Sequence, residues 1–339
     1  MIQVRERFSL APFNTFGIFA DARYFSEFHS ADDLSEILAN DKYTKLLKLI
    51  LGGGSNLLLT KNFDGIVLQN KIVGIEILKE DRDFVYLRSG AGVTWHELVR
   101  YAIDNEFAGL ENLSLIPGSV GAAPMQNIGA YGVELKEVFH SLEAIDLGSG
   151  ETKIFSKEEC RFGYRESVFK NIFKNKFVII NVTFQLRKVP VFNTKYGAIE
   201  DELKRMKVNE LSIRAISEAV CNIRRSKLPD PKVTGNAGSF FKNPEVKEEI
   251  FLGLKQKFPD IIAYPASPGK MKIAAGWMIE KCGWKGKKFG NAGVHDKQAL
   301  VIVNLGHASG KEILDLSFRV KESVKEKFGL ELETEVNII

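Results

Sequence analysis

Cysteine is scarce in this 339-residue chain, and the three present, Cys160, Cys221 and Cys282, are odd in number with no C-x-x-C spacing. That pattern excludes a disulfide framework and a cysteine-based zinc site, and it fits a reduced, cytosolic compartment. An excess of one charge is also missing: 47 Lys and Arg face 43 Asp and Glu, which leaves a net +4 spread along the sequence. So even a balance gives no footprint for nucleic acid and little support for an anionic ligand. Residues 1–10 carry Arg5, Glu6 and Arg7 without an apolar stretch, so they do not read as a secretory signal. The longest uncharged run, 112–133, nears membrane-spanning length but holds Pro117, Pro124, Gly118, Gly121, Gly129 and Gly132. A lipid-facing helix would be broken repeatedly there, so the run reads as a loop system and no membrane insertion is expected.

What is present points to two or three domains of ordinary globular composition, with 45% hydrophobic and 27% charged residues. The stretch richest in chemistry is 235–244, Gly-Asn-Ala-Gly-Ser-Phe-Phe-Lys-Asn-Pro. Gly235 and Gly238 let backbone N–H groups approach a ligand, and Ser239 follows with a hydroxyl that can give or take a proton. Phe240 and Phe241 would shield that hydroxyl from water. The same ten residues also read as a Gly/Asn turn before a buried Phe pair.

Two further tracts are poor in side chains. Residues 46–51 form a compact apolar strand that runs into Gly52, Gly53, Gly54, Ser55 and Asn56. Three glycines after a strand can present successive N–H groups to a phosphate, or they can simply end the strand. No Walker A lysine follows. The second tract comprises Pro117, Gly118, Ser119, Gly121 and Ala122, then Gln126, Asn127, Gly129, Ala130, Tyr131 and Gly132. A surface Ω-loop rarely carries so few charges, so we expect burial against an extended, flat, polar cofactor. Between the tracts, Gly90-x-Gly92 follows a strand and opens a helix, with Glu111 further on, in the manner of a dinucleotide fingerprint. Trp95 stands where the third glycine should be, and the Rossmann reading is set aside.

The remaining pattern supplies the frame. Residues 31–40 read as a helix, 65–69 and 84–88 as strands, and 141–146 and 177–186 continue a β-rich domain. Thr94-Trp95-His96-Glu97 has the form of a capping box and opens a helix that ends near Gly109. Arg165 is either a structural ion-pair residue or an anion clamp, and the sequence alone favours the former. Residues 189–211, with a Lys195-Tyr196-Gly197 tip, read as an exposed loop. Residues 213–223 form a helix, and Arg224, Arg225, Ser226 and Lys227 lead from it to Pro229 and Pro231, a boundary whose cations suit a diphosphate. Helices follow at 274–282 and 311–328, with a buried strand at 299–304 between them. A terminal strand at 330–339 turns Glu331, Glu333 and Glu335 onto one face, an arrangement that is usually solvated.

Read in order, Asn14-Thr15-Phe16, 52–56, 117–132, Tyr164-Arg165-x-Ser167, Leu228-Pro229-Asp230-Pro231, 235–244, Gly293-Val294-His295 with Gln298-Ala299-Leu300, and Glu335-Val336 form a specific series. It resembles the UDP-N-acetylenolpyruvoylglucosamine reductases, flavin enzymes that complete UDP-N-acetylmuramate for the bacterial cell wall. The resemblance covers nearly the whole chain, and 189–211 with Tyr196 is similar to the tyrosine loop of the type I branch. It implies an α+β fold with a two-part FAD-binding region of the vanillyl-alcohol-oxidase type, 1–65 and 66–227. It further implies an α+β substrate domain at 228–329, with 330–339 packing near the first part. Implied with it are non-covalent FAD on 52–56 and 117–132, NADPH as hydride donor, and UDP-N-acetylglucosamine enolpyruvate as substrate. A cytoplasmic monomer without metal or nucleic acid completes that expectation. The resemblance makes Ser239 the proton donor and Arg165 and Glu335 the partners of the reacting carboxylate, and it puts Tyr196, Arg224, Lys227, Asn243 and Gln298 at the substrate. The chain ends at Ile339, soon after Glu335, where many relatives continue.

The chemistry can be followed without the name. An enolpyruvyl ether has a C=C conjugated to a carboxylate, so hydride adds at the methylene carbon only if the charge pushed into the carboxylate is stabilised. Arg165 offers a planar fork for it. An ionised Glu335 would repel the same charge, so Glu335 is expected to hold or share a proton when substrate is bound. An oxidase of the same fold often tethers its flavin through His or Cys, and neither 52–56 nor 117–132 contains a His.

Overall fold

Two sheets of opposite character build the first of two units, which takes in the chain up to Phe8, Ala22–Gly54 and Phe63–Ser226. The computed structural model describes residues 2–196 and 198–339, so Gly197 of the expected loop tip lies outside the described residues. The smaller sheet runs in the order Arg5–Ser9, Asp21–Phe28, Phe63–Asn70, Leu47–Leu51, and its last three strands are parallel. Parallel strands need a crossover, and the Ala31–Ala39 helix lies on the one from Asp21–Phe28 to Leu47–Leu51. Ser30 caps that helix by accepting the Asp33 N–H at 3.0 Å, and Leu34 and Ile37 form its buried face. The larger sheet is antiparallel, in the order Thr152–Ser156, Phe139–Asp146, Phe177–Arg187, Phe84–Gly90, Ile75–Glu80. Ile145, Val178 and Ile180 of this sheet share a core with Tyr24, Phe28, Ile66 and Leu68 of the smaller one. The Trp95–Asp104 helix covers the larger sheet's other core, where the buried Trp95 indole donates to the Leu113 carbonyl at 2.9 Å.

Three sequence expectations are corrected in this unit. The helix at Trp95 has no capping box. Thr94 pairs in an isolated bridge with Ser119, the Trp95 N–H goes to the Gly118 carbonyl at 2.9 Å, and the Glu97 N–H to the carbonyl of Thr94. With those donors taken by backbone, the threonine hydroxyl is not needed. Within 189–211 lies a helix, Ile199–Arg205. Two apolar residues a turn apart, Ile199 and Leu203, are enough to seat it against Ile216, Ala219, Val220 and Ile223. Those partners lie on a helix that runs Ile213–Lys227 where 213–223 was expected, so Arg224 to Lys227 are its last turn.

The second unit comprises Ser9–Asp21, Ser55–Asn62 and Lys227–Ile339. Its main sheet is antiparallel, in the order Gly235–Ser239, Val301–Asn304, Ala292–Val294, Lys288–Phe289. A three-stranded sheet orders Glu245–Lys247, Lys270–Ile273 and Ala263–Pro265. The Gly310–Phe328 helix has the capping box that the earlier helix lacks, formed by Ser309 and Glu312, and Gly329 ends it in the left-handed region. Ile313, Leu316, Val320, Val324 and Phe328 make its buried stripe. The expected terminal strand shrinks to Asn337–Ile338, parallel to Leu57–Leu58, with a single bridge from Thr334 to Phe241 before it. Pairing with two different partners in succession keeps 330–339 from forming one continuous strand.

Candidate functional site

Gly52 and Gly53 hold the key to the first unit's small-residue tracts. A Cβ on Gly52 would overlap the Ser119 hydroxyl, and one on Gly53 would lie 3.1 Å from the Gly118 Cα. The two tracts therefore touch, backbone to backbone, as a cofactor cradle requires. The second tract is pinned from behind: Val120 N–H donates to the Val93 carbonyl and Gly121 N–H to the Ala91 carbonyl, both at 2.9 Å. This also settles the glycine pair at 90 and 92. A Cβ on Gly92 would stand 2.8 Å from the Asn70 carbonyl oxygen, so packing demands the glycine. Glu111 is buried, accepts the Gly109 N–H at 2.6 Å, and has its pKa raised by that burial, so it is spent inside the fold. Overpacking a close contact costs about 1–3 kcal/mol, so Gly52→Ala is expected to weaken FAD binding by about tenfold or more. Titration of the apoprotein with FAD, followed by flavin fluorescence, checks this; unchanged affinity would remove Gly52 from the cradle.

Beyond the cradle, the second tract turns through Pro124–Gln126 to Asn127, which is buried and left-handed at φ 43°. Its amide donates to the Gly163 carbonyl at 2.9 Å and to Glu134 at 3.1 Å, and accepts the Lys136 N–H at 3.0 Å. The Asn127 side chain is thus used to shape the loop, and what it can offer a cofactor is backbone. Gly129–Ala130 then pairs with Val133–Glu134 as a short hairpin. Arg165 reaches this hairpin, its guanidinium donating to the Gly129 carbonyl at 2.8 Å. On the hairpin's other side, a Cβ on Gly132 would lie 3.1 Å from the Tyr196 Cβ. Asn112 ties the two strips together by donating to the carbonyls of Tyr131 at 3.0 Å and Asn193 at 2.8 Å.

Arg224 completes the group. Its Nε donates to the Leu115 carbonyl at 3.2 Å. Burial holds its pKa below the usual guanidinium range; Tyr131 opposes that shift and Arg165 adds to it. Burial also pushes up the Tyr131 phenol, with Arg224 pulling the other way. Arg165, Tyr131, Arg224 and Tyr196 therefore gather around 129–132. Four of the ten non-glycine residues with positive φ among the described residues, Leu115, Asn127, Tyr131 and Arg165, fall here. Such backbone costs of order 1–3 kcal/mol each and tends to collect at functional sites. The cations after the 213–223 segment do not form one cluster: Arg224 faces Leu115 and Tyr131, Arg225 faces His96, and Lys227 is exposed at the helix end. Successive helical residues point about 100° apart, which follows from 3.6 residues per turn.

In the second unit, Ser239 stands at the end of a β-bulge. Asn236 pairs with Val303 but Ser239 with Val301, so the Ser239 strand carries one extra residue, with Gly238 at φ 70°. Asn236 locks the bulge from inside. Its buried amide accepts the Gly238 N–H at 3.0 Å and donates to the Thr234 carbonyl at 2.8 Å and the Pro229 carbonyl at 3.3 Å. Thr15 clamps the same residue, its hydroxyl donating to the Asn236 carbonyl at 2.6 Å while its own carbonyl accepts the Asn236 N–H at 3.0 Å. Phe240 and Phe241 turn inward and are buried. Ser239 is half-buried, and its hydroxyl has no hydrogen-bond partner among the described residues.

Glu335 is brought next to this strand. Its N–H donates to the Phe240 carbonyl at 2.8 Å, and Lys242 N–H donates to the Glu333 carbonyl at 2.9 Å. The three glutamates do not behave alike. Glu331 and Glu333 are exposed and paired with Lys325 and Lys242, whereas Glu335 is half-buried. Asn56 is tied to it, donating to the Glu335 carbonyl at 3.4 Å while accepting from Asn337. Asn243 and Gln298 meet elsewhere, at the start of the Ala275–Lys281 helix. Asn243 accepts the Ala275 N–H at 2.9 Å, and Gln298 Oε1 lies against Gly276. No role is legible in the sequence for Asn112, Thr15 or Asn236, although all three sit within or beside the motifs singled out.

No helix among the described residues is long and apolar enough to cross a membrane. Comparison with known proteins places the two units in a family. A family model described as an FAD binding domain matches residues 22–156, and one described as the C-terminal domain of UDP-N-acetylenolpyruvoylglucosamine reductase matches 230–339. The expected FAD-binding region and separate α+β substrate domain agree with these matches. The UDP-N-acetylenolpyruvoylglucosamine reductase of Flavobacterium johnsoniae is 51% identical over 339 residues, covering 100% of both chains. That of Amoebophilus asiaticus is 51% identical over 338 residues, again covering 100% of both. The crystal structure of the Thermus caldophilus enzyme of that name covers 100% of this chain and 98% of its own with a TM-score of 0.66 at 24% identity, a likeness of fold. The chain belongs to the UDP-N-acetylenolpyruvoylglucosamine reductase family.

Proposed function

We propose that this FAD-dependent oxidoreductase reduces the enolpyruvyl group of UDP-N-acetylglucosamine enolpyruvate to the lactyl ether of UDP-N-acetylmuramate, with NADPH as donor, as a cytoplasmic monomer. The observation that carries the reading is the Arg165 guanidinium fixed on the Gly129 carbonyl, a cation held on the tract that also borders the glycine cradle. The missing Cβ atoms at Gly52 and Gly53 let the two tracts close on Ser119 and Gly118, and a cradle so poor in side chains fits a flat, polar cofactor such as FAD. FAD bound there would supply the hydride, with NADPH as its source.

The protein's own groups handle the charge and the proton. Arg165 presents a planar fork to the substrate carboxylate as charge is pushed into it. Ser239 gives its proton to the carbon beside that carboxylate, and a hydroxyl is acid enough for this only against a strongly basic carbon. Glu335 holds or shares a proton when substrate is bound, so that no second negative charge opposes the developing one. Tyr196 lies on a segment beside Gly132 and closes over the nucleotide sugar; Arg224, Lys227, Asn243 and Gln298 bind it. In this reading 1–65 and 66–227 form the two FAD-binding parts and 228–329 binds substrate.

Anaerobic mixing of the yellow protein with NADPH, then with the enolpyruvyl sugar, tests the reading. The oxidised-flavin absorbance is expected to fall and then to recover on adding the sugar. Recovery only on admitting air would replace the reading with an oxidase, and absence of a flavin signal after adding FAD would end it.

A further inference from the structure

A cavity of about 210 Å³ opens in the first unit, lined by His96, Arg100, Arg214, Ser217, Cys221 and Arg225 among others. It is formed by the Trp95–Asp104 and Ile213–Lys227 helices, and none of the residues assigned above to cofactor or substrate lines it. Arg214 is neutralised by Asp104 at 2.9 Å. Arg100 and Arg225 have no hydrogen bond or ion pair among the described residues, and Glu218 is the one remaining acid in the lining. His96 Nδ1 accepts the Leu115 N–H at 3.0 Å, so the neutral ring carries its proton on Nε2 and is a donor. Burial lowers the His96 pKa, and Arg100, Arg225 and Arg224 lower it further, which marks positive potential at the ring. Two guanidinium forks, an imidazole N–H and an excess of positive charge ask for a compact ligand with several acceptor oxygens and more than one negative charge. Sites for drug-sized ligands span roughly 300–1,000 Å³, so this smaller cavity suits an anion and not a whole nucleotide.

We infer that the cavity between these helices is a binding site for an inorganic oxyanion of the phosphate class, held by Arg100, Arg225 and His96. The site borders the cofactor loop through one peptide. Leu115, left-handed at φ 59°, gives its N–H to His96 and its carbonyl to Arg224, two residues before Pro117. Arg225, which the assignment of Arg224 and Lys227 to the nucleotide sugar leaves unused, thereby gains a ligand of its own.

The test is titration of the FAD-loaded protein with inorganic phosphate at constant ionic strength, balanced with chloride, reading thermal unfolding. A saturable rise in Tm is expected for the natural chain. In Arg100→Gln/Arg225→Gln the apparent affinity is expected to fall by about tenfold or more, and Arg100→Lys/Arg225→Lys is expected to regain part of it. Both arginines are exposed, so the variants are expected to keep their fold, and unchanged FAD content checks that they do. Absence of a saturable rise in the natural chain would overturn the inference. An equal rise in the Gln variant would overturn it too, because phosphate would then be bound elsewhere.

Discussion

Ser239→Ala is expected to lower turnover by about 10²- to 10⁴-fold, the usual contribution of a positioned general acid, while NADPH bleaches the flavin at the natural rate. The restriction to one half of the cycle follows from what the hydroxyl can do: it has a proton for the substrate carbon and no part in accepting electrons from NADPH. The fold gives the substitution little else to disturb. Ser239 is half-buried, its backbone pairs with Val301, and the bulge is locked by Asn236, Thr15 and Gly238 rather than by the hydroxyl. Stability is therefore expected to change by no more than about 0.5 kcal/mol, as for surface substitutions away from special features. Stopped-flow absorbance separates the two halves, and chemical denaturation checks the fold. Slow bleaching by NADPH with normal recovery would move Ser239 to cofactor handling. Ser239→Cys, which keeps a proton at nearly the same place, is expected to recover part of the loss.

How far the site was legible depends on whether a residue acts through its own type or through a fold-made neighbour. The glycines at 52, 53 and 238 announce themselves, because lack of a Cβ is a sequence property, and the structure uses each for a close approach or a positive φ. Ser239 stands out because it follows such a glycine. Arg165 does not: by sequence it reads as a structural ion-pair residue ahead of an anion clamp, and only the fold brings its guanidinium to Gly129, 36 residues earlier. Asn236 and Thr15 were equally silent, since their hydrogen bonds join positions 221 residues apart. The misread elements share a cause as well. The capping box at Thr94 had the right letters, but the Trp95 N–H goes to the distant Gly118 carbonyl and the Glu97 N–H to the carbonyl of Thr94 itself, which leaves the hydroxyl without a donor to cap. The Ile199–Arg205 helix has too short an apolar stripe to be seen without the Ile213–Lys227 helix that buries it. Local chemistry could be read, then, while contacts that depend on long loops closing could not.

Arg165→Lys is expected to cut turnover by about 10²- to 10³-fold, the scale seen when one preorganised donor to a developing negative charge is removed. Lysine keeps the charge but replaces a fork with a single rotating donor, so it can serve either the Gly129 carbonyl or the substrate carboxylate, not both in the planar way that arginine does. Two roles are thus superimposed on one side chain, and they predict different companions to the loss. If the guanidinium meets charge that appears only in the transition state, kcat falls with KM little changed. Recovery of the flavin absorbance slows while bleaching by NADPH does not, and Arg165→Gln is worse than Arg165→Lys because it removes the charge as well. If Arg165 only anchors the hairpin at 129–132, the two variants fall together, bleaching slows as much as recovery, and FAD affinity drops in the same titration that reads Gly52→Ala. The left-handed backbone at Arg165, φ 55°, favours the first outcome. A side chain needed merely to hold a carbonyl could do so from relaxed backbone, whereas a fork that must present a fixed plane to a carboxylate is a reason to keep a conformation that costs the fold about 1–3 kcal/mol.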